Sequence, residues 1–197
     1  MKYHSIAILW AALGLALSGG CKRQVATKSH VDANETQDSG QLKSCALGTI
    51  PNVHSLGDVY LAGQPKPEDF EVAKAEGIKT IINLRHAKEI NDVDEEATVK
   101  AAGLDYVHLP WNGEGELTDD VIQRSRKLFE TAERPILMHC GSANRVGALW
   151  IPWRVLDGNV SLEEAIDEAK TIGLKNEPNA ALSDHSLPFE MERSYWL

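Results

Sequence analysis

Pro135-Ile136-Leu137-Met138-His139-Cys140-Gly141-Ser142-Ala143-Asn144-Arg145-Val146-Gly147 is the stretch on which the fold turns. An unbroken apolar run, Ile136 to Met138, reads as a strand buried on both faces. A polar loop follows, and Val146-Gly147-Ala148-Leu149-Trp150 is apolar enough to begin a buried helix. Strand, loop and helix in that order put Cys140 at the mouth of a helix N-terminus. Unpaired backbone N–H groups and the helix dipole favour negative charge there. Such a field lowers a thiol's pKa, and the same N–H groups would hold an oxyanion. Arg145 adds a planar fork of donors suited to two oxygens of a phosphate or sulfate. The expected site is a thiolate nucleophile, Cys140, in an anion cradle made by Gly141, Ser142, Ala143, Asn144 and Arg145. His139 precedes it on the strand, so it points to the opposite face and holds the loop by hydrogen bonding.

Working outward, Thr80-Ile81-Ile82-Asn83-Leu84 is β-branched and apolar and reads as a central parallel strand. Val59-Tyr60-Leu61-Ala62 and Tyr106-Val107-His108-Leu109 are further strands. Helical spacing and end signals predict helices over 67–75, 93–102, 118–131, 145–156 and 161–171. Pro152 falls inside the fourth and is expected to interrupt it. Strands alternating with helices make an α/β fold: a single domain with a mostly parallel sheet of four or five strands flanked by helices. Ligands of such sheets bind beyond the carboxyl ends of the strands. That edge gathers Arg85, the loop 111–116 and Cys140.

The remainder bounds partners and place. A chain of 197 residues, 43% hydrophobic, holds one domain with a real core. A net charge of −9 excludes a nucleic-acid partner, which needs a basic face. No dinucleotide glycine fingerprint, Walker loop or metal-ligand spacing is present, so no cofactor and no metal is implied. Residues 1–20 read as a signal peptide: Lys2 precedes an apolar run from Ile6 to Leu17, too short to span a bilayer, with small residues before the break. Gly19-Gly20-Cys21 resembles a bacterial lipoprotein cleavage site, which makes Cys21 a lipidation site and the membrane a partner through a lipid anchor. Plain secretion is the alternative. Residues 21–45 are polar and read as a lipidated N-terminus and flexible tether, and residues 46–197 as the folded domain. The expected location is the cell envelope, on the periplasmic side of an outer membrane. An oxidising compartment permits a Cys45–Cys140 bond, with a free or buried thiol as the alternative.

His139-Cys140, a small-residue loop and Arg145 resemble the signature loop of cysteine-dependent phosphatases of the tyrosine and dual-specificity types. The resemblance extends through Gly63-Gln64-Pro65 and Asn83-Leu84-Arg85 with Glu89. Together these are similar to the bacterial phosphatase-like domains called beta-lactamase-hydrolase-like. It implies a phosphatase that forms a phosphocysteine intermediate on a phosphorylated substrate of unidentified nature. Arg85 with Glu89 reads as an ion pair that braces the loop, with a substrate contact as the alternative. Three departures stand out. Four residues separate Cys140 from Arg145 where tyrosine phosphatases have five. Val146 replaces a Ser or Thr, and Ala143 stands where the bacterial subfamily has Gly. A position needing positive φ would cost alanine about 1 kcal/mol. The family's general acid, an Asp on the loop after the third strand, is missing from Trp111-Asn112-Gly113-Glu114-Gly115-Glu116; Glu114 is the nearest substitute and Glu116 the second. The loop length also fits a rhodanese-like sulfurtransferase using a Cys140 persulfide, and Val146 with Ala143 fits a phosphate-binding pseudophosphatase.

Overall fold

The computed structural model describes residues 40–90 and 94–175. The expected signal peptide, Cys21 and the C-terminal tail lie outside the described residues. Six strands form one sheet: β1 (Lys43–Ser44), β2 (His54–Leu56), β3 (Val59–Ala62), β4 (Thr80–Asn83), β5 (Asp105–His108) and β6 (Ile136–His139). Their order is β1-β2-β3-β6-β4-β5. The four strands expected from sequence run parallel, with β6 and β4 at the centre. β1 and β2 add an antiparallel edge, so the sheet is mixed and six-stranded where four or five mostly parallel strands were expected. Lys43 and Ser44, expected in the tether, belong to this edge.

Five helices cover the two faces: α1 (Asp69–Ala75), α2 (Glu95–Ala101), α3 (Asp119–Thr131), α4 (Asn144–Leu156) and α5 (Leu162–Ile172). Alternation along each strand divides the core. On one face Leu61, Ile82, Ile136 and Met138 pack with Phe129, Val146, Leu149 and Trp150 from α3 and α4. On the other, Tyr60, Ile81 and Leu137 pack with Phe70, Ala73 and Val99 from α1 and α2. β6 is buried at all four positions, which explains its unbroken apolar run. Cys140 continues the first face and Cys45 packs against the second; Cys140 is a free thiol, so the two are not joined.

The helix starts follow their side chains. Asp94, Thr118 and Ser161 accept the backbone N–H of Ala97, Val121 and Glu164. α4 runs unbroken through Pro152, against the expected interruption. Residues on either side of the proline share one anchor: Glu168 of α5 accepts from Trp150 Nε1 at 2.7 Å and from Arg154 Nε and Nη2 at 2.7 and 2.8 Å. α5 lies close because Gly147 has no side chain; a Cβ there would come within 2.9 Å of the Ala169 carbonyl. Among the described residues no helix is long and apolar enough to cross a membrane.

Candidate active site

The cradle forms where the carboxyl ends of β3, β6 and β4 meet the N-terminus of α4. The Cys140 N–H donates to the Ala62 carbonyl at 3.4 Å, extending the β3–β6 ladder one step past the strand. The loop then turns through Ala143, which sits at φ 66°, ψ 0° as the N-cap of α4. This is the left-handed conformation that the family's glycine would adopt without strain.

Three neighbours fix the turn. Gly63 bridges Ser142, and a Cβ on Gly63 would meet Pro51 Cγ at 2.9 Å, so this approach requires glycine. Asn52 Nδ2 donates to the Ser142 carbonyl at 3.5 Å. Beyond α5, Gly173 packs on Ser142 and Ala143, and the Lys175 N–H donates to Asn144 Oδ1 at 2.7 Å. Asn144 Oδ1 is therefore engaged by the tail beyond α5.

Cys140 is buried, with 1% of its surface exposed. Arg145 is buried beside it. Its Nη1 donates to the carbonyls of Leu84 at 3.2 Å and Trp111 at 3.0 Å, and to Glu89 Oε1 at 2.8 Å; its Nη2 donates to Glu89 Oε2 at 2.6 Å. Burial opposes the charge on Arg145, but Glu89 and the adjacent Cys140 outweigh it and hold the guanidinium more firmly protonated than usual. In return, the Arg145 fork pulls the Glu89 carboxyl down to about 2, helped by the N–H of His86.

The expected Arg85–Glu89 side-chain pair is not formed. Arg85 touches only the Glu89 carbonyl, at 3.3 Å, and its Nη2 pairs with Glu95. Glu95, 4% exposed, is the centre of a network that sequence reasoning missed. Its Oε1 accepts from Asn83 Nδ2 at 2.6 Å and from His139 Nε2 at 3.1 Å, and its Oε2 accepts from Gln64 Nε2 at 3.2 Å as well as from Arg85. Burial pushes the Glu95 carboxyl up; donors from His139, Arg85 and Gln64 overcome it and keep the group below its usual range. His139 thus faces away from Cys140 and is tied to α2, as its place on β6 requires.

Beside the cradle lies a cleft of about 380 Å³, bordered by Gly141, Gln64, Phe70, Ile90 and Arg85. On the other flank is the loop after β5. Glu114 opens a 3-10 turn, Glu114–Glu116, but its side chain lies outside what the structure describes. Glu116 Oε2 meets His86 Nε2 at 2.6 Å and accepts the Asn112 N–H at 2.7 Å. His86 and then the Asn112 N–H hold the Glu116 carboxyl below its ordinary range. The site therefore unites Cys140, the cradle 141–145, His139 and Arg85, as the sequence reading grouped them. It adds Glu89 as the partner of Arg145, and Glu95 and His86, which that reading did not single out.

Known proteins share the sequence and fold of this domain. The model of the family "Beta-lactamase hydrolase-like protein, phosphatase-like domain" matches residues 55–154. A beta-lactamase hydrolase-like protein of Agrobacterium fabrum is 33% identical over 117 residues, 57% of this chain and 27% of that protein. One of Xylella fastidiosa is 33% identical over 109 residues, 53% of this chain and 25% of that protein. The chain thus spans about a quarter of the length of the curated relatives it matches. Among solved structures, Pseudomonas aeruginosa TpbA in complex with phosphotyrosine superposes with a TM-score of 0.62 at 16% identity, covering 78% of this chain and 95% of that one. The core catalytic domain of the PP-IP phosphatase SIW14 of Saccharomyces cerevisiae gives 0.52 at 20% identity, covering 75% and 95%.

Proposed function

The chain belongs to the phosphatase-like domain family of the beta-lactamase hydrolase-like proteins, and from that premise we propose that it hydrolyses phosphate monoesters through a phosphocysteine intermediate at Cys140. The observation that carries the reading is the pairing of a free, buried Cys140 with an Arg145 whose fork is fixed at the same loop. Backbone N–H groups of 141–145 and the Arg145 guanidinium bind the non-bridging oxygens. Cys140 Sγ attacks phosphorus, the ester oxygen leaves with a proton, and water then hydrolyses the S–P bond and restores the thiolate. Glu89 holds Arg145 in place and does not touch the substrate. The cleft beside Gly141 receives the leaving group.

The test is turnover of p-nitrophenyl phosphate by reduced protein beside its Cys140→Ser variant. Activity that disappears in the variant is the expected result; equal activity in both refutes the phosphocysteine step. The four-residue spacing and the absence of the family's Asp from the loop 111–116 support a second reading, sulfur transfer through a Cys140 persulfide, for which thiosulfate-to-cyanide transfer is the assay. The proposal includes export, with residues 1–20 removed and Cys21 lipidated, so that the domain meets its phosphorylated substrate at the cell envelope.

A further inference from the structure

The cleft beside the cradle bears on which esters can react, because Gly141 of the anion loop is one of its walls. Arg85, Glu89, Glu95 and Gln64 supply the polar part of the lining, and Phe70 and Ile90 the apolar part. An ester with two anionic groups would set one in the cradle and carry the other into this space. The donors waiting there are few.

Arg85 is the one cation of the lining among the described residues, and it is already committed. Its Nη2 pairs with Glu95, its Nε donates to Asn83 Oδ1 at 3.3 Å and its Nη1 to the Glu89 carbonyl at 3.3 Å. Glu89 is a fixed anion, since the Arg145 fork holds its carboxyl down to about 2. Glu95 is a second carboxylate, 4% exposed. Gln64 adds no spare donor. Its Nε2 donates to the Pro65 carbonyl at 2.8 Å and to Glu95 Oε2 at 3.2 Å. Both partners only accept, which fixes the sense of the amide and leaves Oε1 buried with no hydrogen-bond partner among the described residues. Lys66 and Lys88 adjoin lining residues in sequence, but both are exposed and neither lines the cleft. Asn91-Asp92-Val93, which follow Ile90, contain no cation.

The cleft therefore presents two carboxylates, a neutralised guanidinium, an unpartnered carbonyl oxygen and apolar surface. An anion entering it sheds water and gains no free donor in exchange, which is unfavourable. A neutral or cationic body carries no such penalty. We propose that this cleft restricts the site to phosphate monoesters whose alcohol bears no second anionic group, which shuts out polyphosphorylated and acidic alcohols. The inference deepens the phosphatase reading and rests on it.

The experiment measures kcat/KM of the full-length protein for phenyl phosphate, 4-carboxyphenyl phosphate and O-phosphotyramine. It is run at about 1 M salt, where a Debye length of roughly 3 Å screens the charge of the whole molecule and leaves that of the cleft. The para-carboxylate makes its phenolate the better leaving group, so a slower reaction cannot come from intrinsic reactivity. Relative to phenyl phosphate, the carboxylate ester should lose about 10-fold, as an anion desolvated without a donor does. O-Phosphotyramine, which carries a cation at the same position, should be undiminished. Ile90→Lys and Pro67→Lys each add a cation to the lining and should narrow the gap between the phenyl and carboxylate esters. Cys140-dependent turnover of phenyl phosphate in each variant verifies a folded site. Equal kcat/KM for the phenyl and carboxylate esters, an equal loss for O-phosphotyramine, or a gap that neither lysine narrows overturns the substrate class and leaves the phosphatase reading standing. No Cys140-dependent turnover of any of the three esters overturns the phosphatase reading, and the substrate class with it.

Discussion

At the scale of single residues, Ala143 and Glu89 make the clearest expectations. Ala143 adopts φ 66° with a Cβ that glycine would not have. Ala143→Gly should therefore raise stability by about 1 kcal/mol, read as an upward shift in thermal midpoint. A lower midpoint would mean that the methyl's packing against Gly173 outweighs the strain. Glu89 titrates at about 2 in the folded protein against an ordinary 4.5. A depressed folded pKa contributes stability that is present above the unfolded value and lost as pH falls toward the folded one. Urea midpoints should accordingly drop between about pH 4.5 and pH 2 for the parent, and Glu89→Gln should flatten that window; identical slopes would remove Glu89 from the acid response. Cys140 and Arg145 were legible in sequence because their relation is local: strand, loop and helix set both within six positions. Arg85 and Glu89 were legible as charges but not as partners, because the choice depends on where Arg145 of α4 arrives. Glu95 carried no signal, since its four donors come from Gln64, Asn83, Arg85 and His139, which only the finished sheet brings together.

At the scale of elements, that network is the brace between α2 and the ends of β3, β4 and β6. Removing the charge while keeping the shape leaves the buried Arg85 guanidinium without its counter-charge. Glu95→Gln should cost about 3 kcal/mol of unfolding free energy, as broken buried pairs do, measured by urea denaturation. A loss within a few tenths of a kcal/mol would show the carboxylate to be dispensable. The parallel strands were readable from their apolar runs, each within a residue or so of where it lies. β1 and β2 were not: they have two and three residues, and the edge they form takes its register from β3 and not from any pattern of their own. Pro152 misled for a related reason. Its local cost is real, but Trp150 and Arg154 are both held by Glu168 of a different helix, and tertiary contacts decide the path of α4.

At the scale of the whole molecule, charge and location can be tested. A net charge of −9 repels a dianionic ester that the local Arg145 must capture. Between about 10 mM and about 150 mM salt the Debye length shrinks from roughly 30 Å to roughly 8 Å. kcat/KM for phenyl phosphate should rise across that range; a fall would point to a long-range attraction that the composition does not provide. For location, Cys21→Ser should release the protein from the membrane fraction of expressing cells, and unchanged partitioning would refute the lipid anchor. One consequence concerns synthesis. Asn144 of the cradle waits for the N–H of Lys175, which lies 31 residues further along the chain, and Ser142 waits for Gly173. A ribosome delivers the nucleophile well before it delivers the last pieces of the pocket around it. A nascent or prematurely ended chain therefore carries its cysteine before the turn around it is pinned, and the cradle as described is complete only when translation has passed α5.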